Sequence, residues 1–115
     1  MSNEKRLLKR RHLIYYLRVF DMKAQQLLGH LVDITSDGIM LISEQPIPTE
    51  IVYSMKMDLP ANTFGKETVE FEACALWSRP DVNPSFHDTG FQVTQVTEAD
   101  ERIIKRLITE YGFRD

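Results

Sequence analysis

The middle of the chain alternates apolar and polar residues with a period of two, and this pattern constrains the fold more than any other feature. Segments 51–58 and 69–78 show it most clearly. One face holds Ile51, Tyr53, Met55 and Met57 in the first segment, and Val69, Phe71, Ala73, Ala75 and Trp77 in the second. Successive side chains of a strand point to opposite faces, so both segments are predicted to be strands with one buried face.

Weaker versions of the same pattern predict four further strands. We expect them from His12 to Asp21, from Gln25 to Ile34, from Ile39 to Ser43 and from roughly Phe86 to Val96. Met22 to Ala24 has the composition of a turn, and so has Asp33 to Gly38, where Gly38 is able to adopt a positive φ.

The end of the chain changes to a helical period. Thr97 is a good N-cap, and acidic residues in the first turn suit the helix dipole. The apolar residues Ile104, Leu107, Ile108 and Tyr111 then form one stripe, and Gly112 is a suitable stop. The prediction is an all-β domain of six antiparallel strands, closed into a small barrel and capped by a helix over residues 97–112.

Composition and charge exclude several classes of protein. No stretch is apolar and long enough to span a membrane, and Cys74 is the only cysteine, so we expect a cytoplasmic location without membrane insertion. Residues 1–18 carry six basic residues and one acidic residue, whereas the remainder carries eight and sixteen. We therefore predict a flexible basic arm over residues 1–9 and an acidic domain over residues 10–115. Such a domain suits phosphate binding by the arm better than nucleic-acid binding, although a barrel that binds single strands is a further alternative.

No pattern of catalytic residues is present. His12, His30 and His87 do not have metal-ligand spacing, so no metal site is predicted. No phosphate loop, dinucleotide motif or nucleophile elbow occurs, and Cys74 is expected to be a small buried side chain. We expect no enzymatic activity and no cofactor.

Two segments have the chemistry of a ligand site. Lys9-Arg10-Arg11 stands just before the first strand, and arginine binds phosphate well because its planar fork donates two parallel hydrogen bonds. The segment Asp33-x-Thr35-x-x-Gly38 ends a strand and offers a carboxylate, a hydroxyl and close backbone approach, although it is also ordinary turn chemistry.

Together these segments resemble the signature of the PilZ family, which pairs an RxxxR motif with a D/N-x-S-x-x-G motif. Asp33, Thr35 and Gly38 match the second motif with threonine in place of serine, and Asp88-Thr89-Gly90-Phe91 is similar to the family's late strand. The resemblance covers about residues 10–112. It implies a PilZ-like split barrel that binds cyclic di-GMP and passes the signal to an effector protein in motility, pilus or polysaccharide control.

The resemblance also implies a role for each matching residue. Arg10 and Arg11 would bind the phosphates, and Asp33 would accept hydrogen bonds from a guanine edge. Thr35 would supply a hydroxyl, and Gly38 would let the backbone approach the ligand. Trp77 and Arg79 are further candidates, for stacking and for a cation, although a tryptophan that alternates with Val, Phe and Ala is more typical of a core.

The arginine motif departs from the family pattern. Four residues after Arg11 stands Tyr15, whereas a literal RxxxR runs from Arg6 to Arg10, farther from the first strand. A lost charge-assisted hydrogen bond weakens binding by about 1.5–3 kcal/mol. Two hypotheses therefore remain. Either the domain binds cyclic di-GMP, with Arg6 or Tyr15 contributing, or it has lost nucleotide binding and acts as a protein–protein adaptor.

Overall fold

The computed structural model describes residues 17–35, 37–60 and 64–111. Six strands and one helix follow one another in the order that the sequence predicts. They are β1 (Arg18–Asp21), β2 (Gln26–Ile34), β3 (Gly38–Ser43), β4 (Val52–Asp58), β5 (Thr68–Pro80), β6 (His87–Val96) and α1 (Glu98–Tyr111). Several predictions lie outside the described residues: the basic arm, the first strand before Leu17 and the helix stop at Gly112.

The strands form a closed antiparallel barrel in the order β1-β2-β3-β6-β5-β4. Closure occurs between β1 and β4, where Val19 pairs with Met57 and Asp21 pairs with Met55. Every strand thus has a neighbour on both sides, which removes the exposed edges that an open sheet of this size would present. The predicted six-stranded barrel with one C-terminal helix is confirmed.

Alternation places the apolar face of each strand inside the barrel. The fully buried interior includes Val19, Leu31, Leu41, Met55, Met57, Val69, Ala73 and Ala75, each at or near zero exposure. The alternation of 69–75 predicted this face correctly. Cys74 is different, because it lies on the outer face and is only half buried. The prediction that Cys74 is a buried side chain is wrong. Cys74 lies an odd number of positions from both Val69 and Ala75, so the alternation of the strand turns its side chain outward.

The turn between β1 and β2 is organised by one carboxylate. Asp21 Oδ1 accepts hydrogen bonds from the backbone N–H groups of Lys23 (2.9 Å) and Ala24 (3.2 Å). Gln25 then adopts a φ of 56°, and its N–H donates to the carbonyl of Asp21 at 2.7 Å. Aspartate is common in turns because its carboxylate can accept a hydrogen bond from the backbone N–H two residues later.

Helix α1 is capped and docked through its first turn. Thr97 Oγ1 accepts from the N–H of Asp100 at 3.1 Å, so the predicted N-cap is confirmed. The buried Asp100 carboxylate accepts from Lys66 Nζ at 2.8 Å and from the N–H of Glu70 at 3.0 Å. Burial by itself raises the pKa of Asp100, but the Lys66 and Glu70 hydrogen bonds and the Lys66 charge lower it below the ordinary value. Ile104, Leu107 and Ile108 then cover the barrel.

Within the described ranges, no helix combines the length and the apolar character that crossing a bilayer requires.

Candidate ligand-binding site on the barrel wall

A bulge in β2 turns Asp33 toward the outside of the barrel. Leu31 pairs with Leu41, but Asp33 pairs with Met40, so Val32 is an extra residue in β2. Without it, Asp33 and Ile34 would exchange faces, because side chains alternate strictly along a regular strand. With it, Ile34 enters the core at 1% exposure while Asp33 stays half buried on the outer wall.

The strand register then places Asp33 in one row with three residues of other strands. Asp33 pairs with Met40 on β3, Met40 pairs with Gly90 on β6, and Gly90 pairs with Trp77 on β5. Neighbouring strands lie about 4.8 Å apart, so Asp33 and Trp77 are separated by about 14 Å along this row. Between them lie Met40, which is half buried, and Gly90, which has no side chain. The row therefore forms a shallow depression with a carboxylate at one end and an indole at the other.

A second bulge, in β5, places Trp77 on this surface. Ala75 pairs with Phe91 and Trp77 pairs with Gly90, so Leu76 is the extra residue. The alternation that buries Val69, Phe71, Ala73 and Ala75 ends there, and Trp77 is 38% exposed. The interpretation of Trp77 as a core residue is wrong, because the bulge shifts the register by one position.

The indole of Trp77 lies directly over Gly90. A Cβ built on Gly90 would collide with the Cε2, Nε1 and Cζ2 atoms of Trp77. The guanidinium of Arg79 lies 4.6 Å from the centroid of the Trp77 ring, within the range of a cation–π contact. Glycine at position 90 thus allows the ring to lie flat on the barrel wall, and the stack with Arg79 brings a positive charge to the same end of the depression.

The turn that follows Asp33 is held by the hydroxyl of Thr35. Thr35 Oγ1 accepts from the N–H groups of Asp37 (3.3 Å) and Gly38 (3.2 Å), and the N–H of Thr35 donates to the carbonyl of Gly38 at 2.8 Å. Gly38 does not adopt a positive φ; among the described glycines only Gly65 does, at 80°. Position 38 requires glycine for another reason, since a Cβ there would collide with the carbonyl oxygen of Phe91.

These elements line one open cavity of about 280 Å³ on the outer wall. Its lining includes Asp33, Thr35 and Gly38 from the turn, and Leu76 and Trp77 from the bulge of β5. The Asp33 carboxylate accepts from the N–H of Ile34 at 2.9 Å, and a carboxylate accepts about four hydrogen bonds in total. The cavity can therefore offer a base both an acceptor edge and a stacking surface.

Four predicted site residues belong to the part of the chain that the structure does not describe. Arg6, Arg10, Arg11 and Tyr15 are outside the described residues. The chain enters the described structure at Leu17, whose carbonyl accepts from the N–H of Leu31 at 2.8 Å, two residues before Asp33. In the described part of the chain, no group of three or more His, Cys, Asp or Glu side chains is placed to hold a metal ion.

Comparison with known proteins agrees with this architecture. The family model of the PilZ domain matches residues 4–110, and the chain therefore belongs to the PilZ domain family, a family of signalling and receptor domains. Among solved structures, the chain is similar to the Bacillus subtilis inhibitor of motility MotI/DgrA, with a TM-score of 0.69 and 13% identity. The match covers 87% of this chain and 48% of that protein, so the chain spans about half its length. No curated protein sequence matches the chain.

Sequence reasoning missed several residues that line the cavity, among them Met40, Gly90 and Leu76. Met40 and Gly90 reach the site only through strand pairing, which is not visible in a single sequence. One feature of the sequence could have pointed to Gly90: it stands in the Asp88-Thr89-Gly90-Phe91 segment, which resembles the family's late strand. A glycine inside a predicted strand often marks close approach by another group, and here that group is Trp77.

Proposed function

We propose that this domain is a receptor for cyclic di-GMP that passes the signal to a partner protein. The observation that carries the proposal is the single cavity that contains Asp33, Thr35 and Gly38 at one end and Trp77 at the other. A guanine base has a flat face for stacking, and its N1–H and amino group can donate hydrogen bonds to a carboxylate, so its chemistry fits both ends.

The phosphates of the ligand need cations from the N-terminal segment. Leu17 stands six positions after Arg11, a span of at most about 20 Å. Because Leu17 pairs beside Leu31, next to the Asp33 end of the cavity, this length allows Arg10 and Arg11 to reach a ligand held there. Arg79 supports the proposal from the Trp77 end, where it lies against the ring. A cytoplasmic location fits a receptor for an intracellular nucleotide.

Isothermal titration calorimetry of the full chain with cyclic di-GMP tests the proposal. We expect binding, and we expect Asp33→Ala and Arg11→Ala each to weaken it at least about tenfold, since each removes a charge-assisted hydrogen bond of about 1.5–3 kcal/mol. Cyclic di-AMP should bind much more weakly, because adenine lacks the N1–H and the 2-amino group from which Asp33 would accept hydrogen bonds.

Asp37→Ala is the matched control. Asp37 belongs to the same turn and carries the same charge, but it lines a neighbouring cavity with Glu101 and Lys105 instead of the one with Trp77. An equal loss of affinity in Asp33→Ala and Asp37→Ala would show that only the net charge matters, and would contradict the proposed contact. Absence of heat with the unmodified chain would favour the adaptor hypothesis instead.

A further inference from the structure

The bulge in β2 also determines the position of His30. His30 and Asp33 are three positions apart, and in a regular strand this odd spacing would place them on opposite faces. Because Val32 is the extra residue, both side chains lie half buried on the outer wall, with the buried residues Leu31 and Val32 between them. His30 is therefore the next outward residue to Asp33 along β2, at most about 10 Å away.

His30 belongs to a row of outward residues that runs beside the candidate cavity. It pairs with Ile42 on β3, and Ile42 pairs with Asp88 on β6. Asp88 in turn pairs with Arg79 on β5. On β3, β6 and β5 each of these residues stands two positions from a member of the Asp33–Trp77 row, so the two rows lie about 7 Å apart.

This second row places a hydrogen-bond donor near each end of the cavity. The imidazole of His30 carries an N–H near the Asp33 end, and the guanidinium of Arg79 lies against the ring at the Trp77 end. The Asp33 carboxylate accepts hydrogen bonds and repels anions, so a phosphate attached to a base held there turns toward a donor. Arg79 faces the carboxylate of Asp88 across its strand pair, whereas His30 faces the apolar Ile42 on β3. A phosphate of that nucleotide thus finds its nearest donor on the barrel wall at His30.

A cyclic dinucleotide needs donors on more than one side. Its two phosphates lie on opposite sides of the ring, so donors that approach from one side leave the other phosphate without a partner. In the proposed function, Arg10 and Arg11 approach from the N-terminal segment. We propose that His30 is a further ligand-positioning residue, whose imidazole N–H donates to a phosphate oxygen of the nucleotide held at Asp33. This inference rests on the proposed function and adds a residue to it.

Calorimetric titration of His30 variants of the full chain with cyclic di-GMP tests this contact. His30→Ala should weaken binding about three- to tenfold, the effect of losing one hydrogen bond of ordinary strength. His30→Phe keeps an aromatic ring without an N–H, and it should bind as weakly as His30→Ala. His30→Gln keeps a side-chain donor and should bind within about twofold of the unmodified chain.

Leu27→Ala is the positional control. Leu27 is 46% exposed and lies on β2 on the far side of His30 from Asp33, where it pairs with Phe20, so its removal should leave the affinity unchanged. Circular dichroism and thermal unfolding establish that each variant folds; if His30→Phe does not, His30→Ala and His30→Gln provide the comparison.

Nuclear magnetic resonance of the unmodified chain gives a second readout, which a merely structural role of His30 would not move. The imidazole signals of His30 should shift as cyclic di-GMP is added. The signals of His87, whose Nδ1 atom is buried, serve as an internal reference and should not shift.

The possible failures are distinguishable. Equal affinities of His30→Ala and the unmodified chain, together with weak binding by Asp33→Ala, would overturn the role of His30 and leave the proposed function intact. A loss in His30→Gln as large as in His30→Ala would also overturn it, because packing would then explain the effect better than a donated hydrogen bond. Absence of heat with the unmodified chain would overturn the proposed function itself, and this contact with it.

Discussion

Replacing Gly90 with alanine places a methyl group where the indole of Trp77 lies. The three heavy atoms nearest to the added Cβ all belong to that ring, and each would be too close. Because the backbone of Gly90 has no positive φ, alanine meets no conformational barrier of its own at this position. The ring of Trp77 must therefore rotate away from the barrel wall, and it loses its contact with β6.

The expected magnitude follows from this geometry. Overpacking of this kind costs about 1–3 kcal/mol of unfolding free energy. In a Trp77→Ala background the clash is gone, and Gly90→Ala should then stabilise the protein by about 0.5–1 kcal/mol, because glycine inside a strand is unfavourable. The effect of the same methyl group thus changes sign between the two backgrounds, a coupling of at least about 1.5 kcal/mol.

Urea unfolding of the four proteins in this double-mutant cycle measures the coupling. Trp77 is the only tryptophan, so its fluorescence reports the position of the ring directly. We expect a red-shifted emission in Gly90→Ala as the indole becomes more exposed. Equal effects of Gly90→Ala in both backgrounds, with unchanged emission, would refute the stacking of Trp77 on Gly90 and with it the shape of the candidate site.

Three further predictions concern stability. Asp100→Asn should destabilise the protein by about 1–3 kcal/mol at neutral pH, because it removes the charge that Lys66 pairs with. The Asp100 pKa is lowered in the folded state, so its contribution is present above the ordinary pKa of 3.8 and is lost as pH falls through the lower folded value; urea unfolding should show the two proteins converging in acid. Gly38→Ala should cost about 1–3 kcal/mol in the same assay, since the Phe91 carbonyl is backbone and cannot move aside; an unchanged midpoint would contradict the close approach. Leu41→Ala should cost about 2–5 kcal/mol because Leu41 is fully buried, whereas Val82→Ala, at a position 98% exposed, should leave thermal unfolding unchanged.

Much of the fold could be predicted because its signals are local. The alternation of segment 69–75 identified the buried face of β5, and the threonine before an acidic turn identified the start of α1. Apart from the start of β1, which was predicted at His12, strand ends differed from the prediction by at most two residues, as at β3, which begins at Gly38. Such differences arise because strand length depends on the partner strand as much as on the sequence of the strand itself.

The candidate site was predictable at the turn, and Trp77 was one of two further candidates. Asp33, Thr35 and Gly38 form a motif whose residues are adjacent in sequence, and they line one cavity. The predicted reason for glycine at position 38 was wrong, because a single sequence shows neither the φ of a residue nor the approach of the Phe91 carbonyl from β6. The outward position of Trp77 was likewise hidden by the bulge before it.

The six-stranded barrel, its capping helix and the turn that begins at Asp33 are each encoded by the spacing of nearby residues. Strand pairing, in contrast, sets which face Asp33, Leu76 and Trp77 occupy and leaves room for an indole over Gly90. The physical reason is that a β-bulge is defined by two paired strands: one extra residue reverses the face of every residue after it, and the choice of that residue depends on a partner distant in the chain.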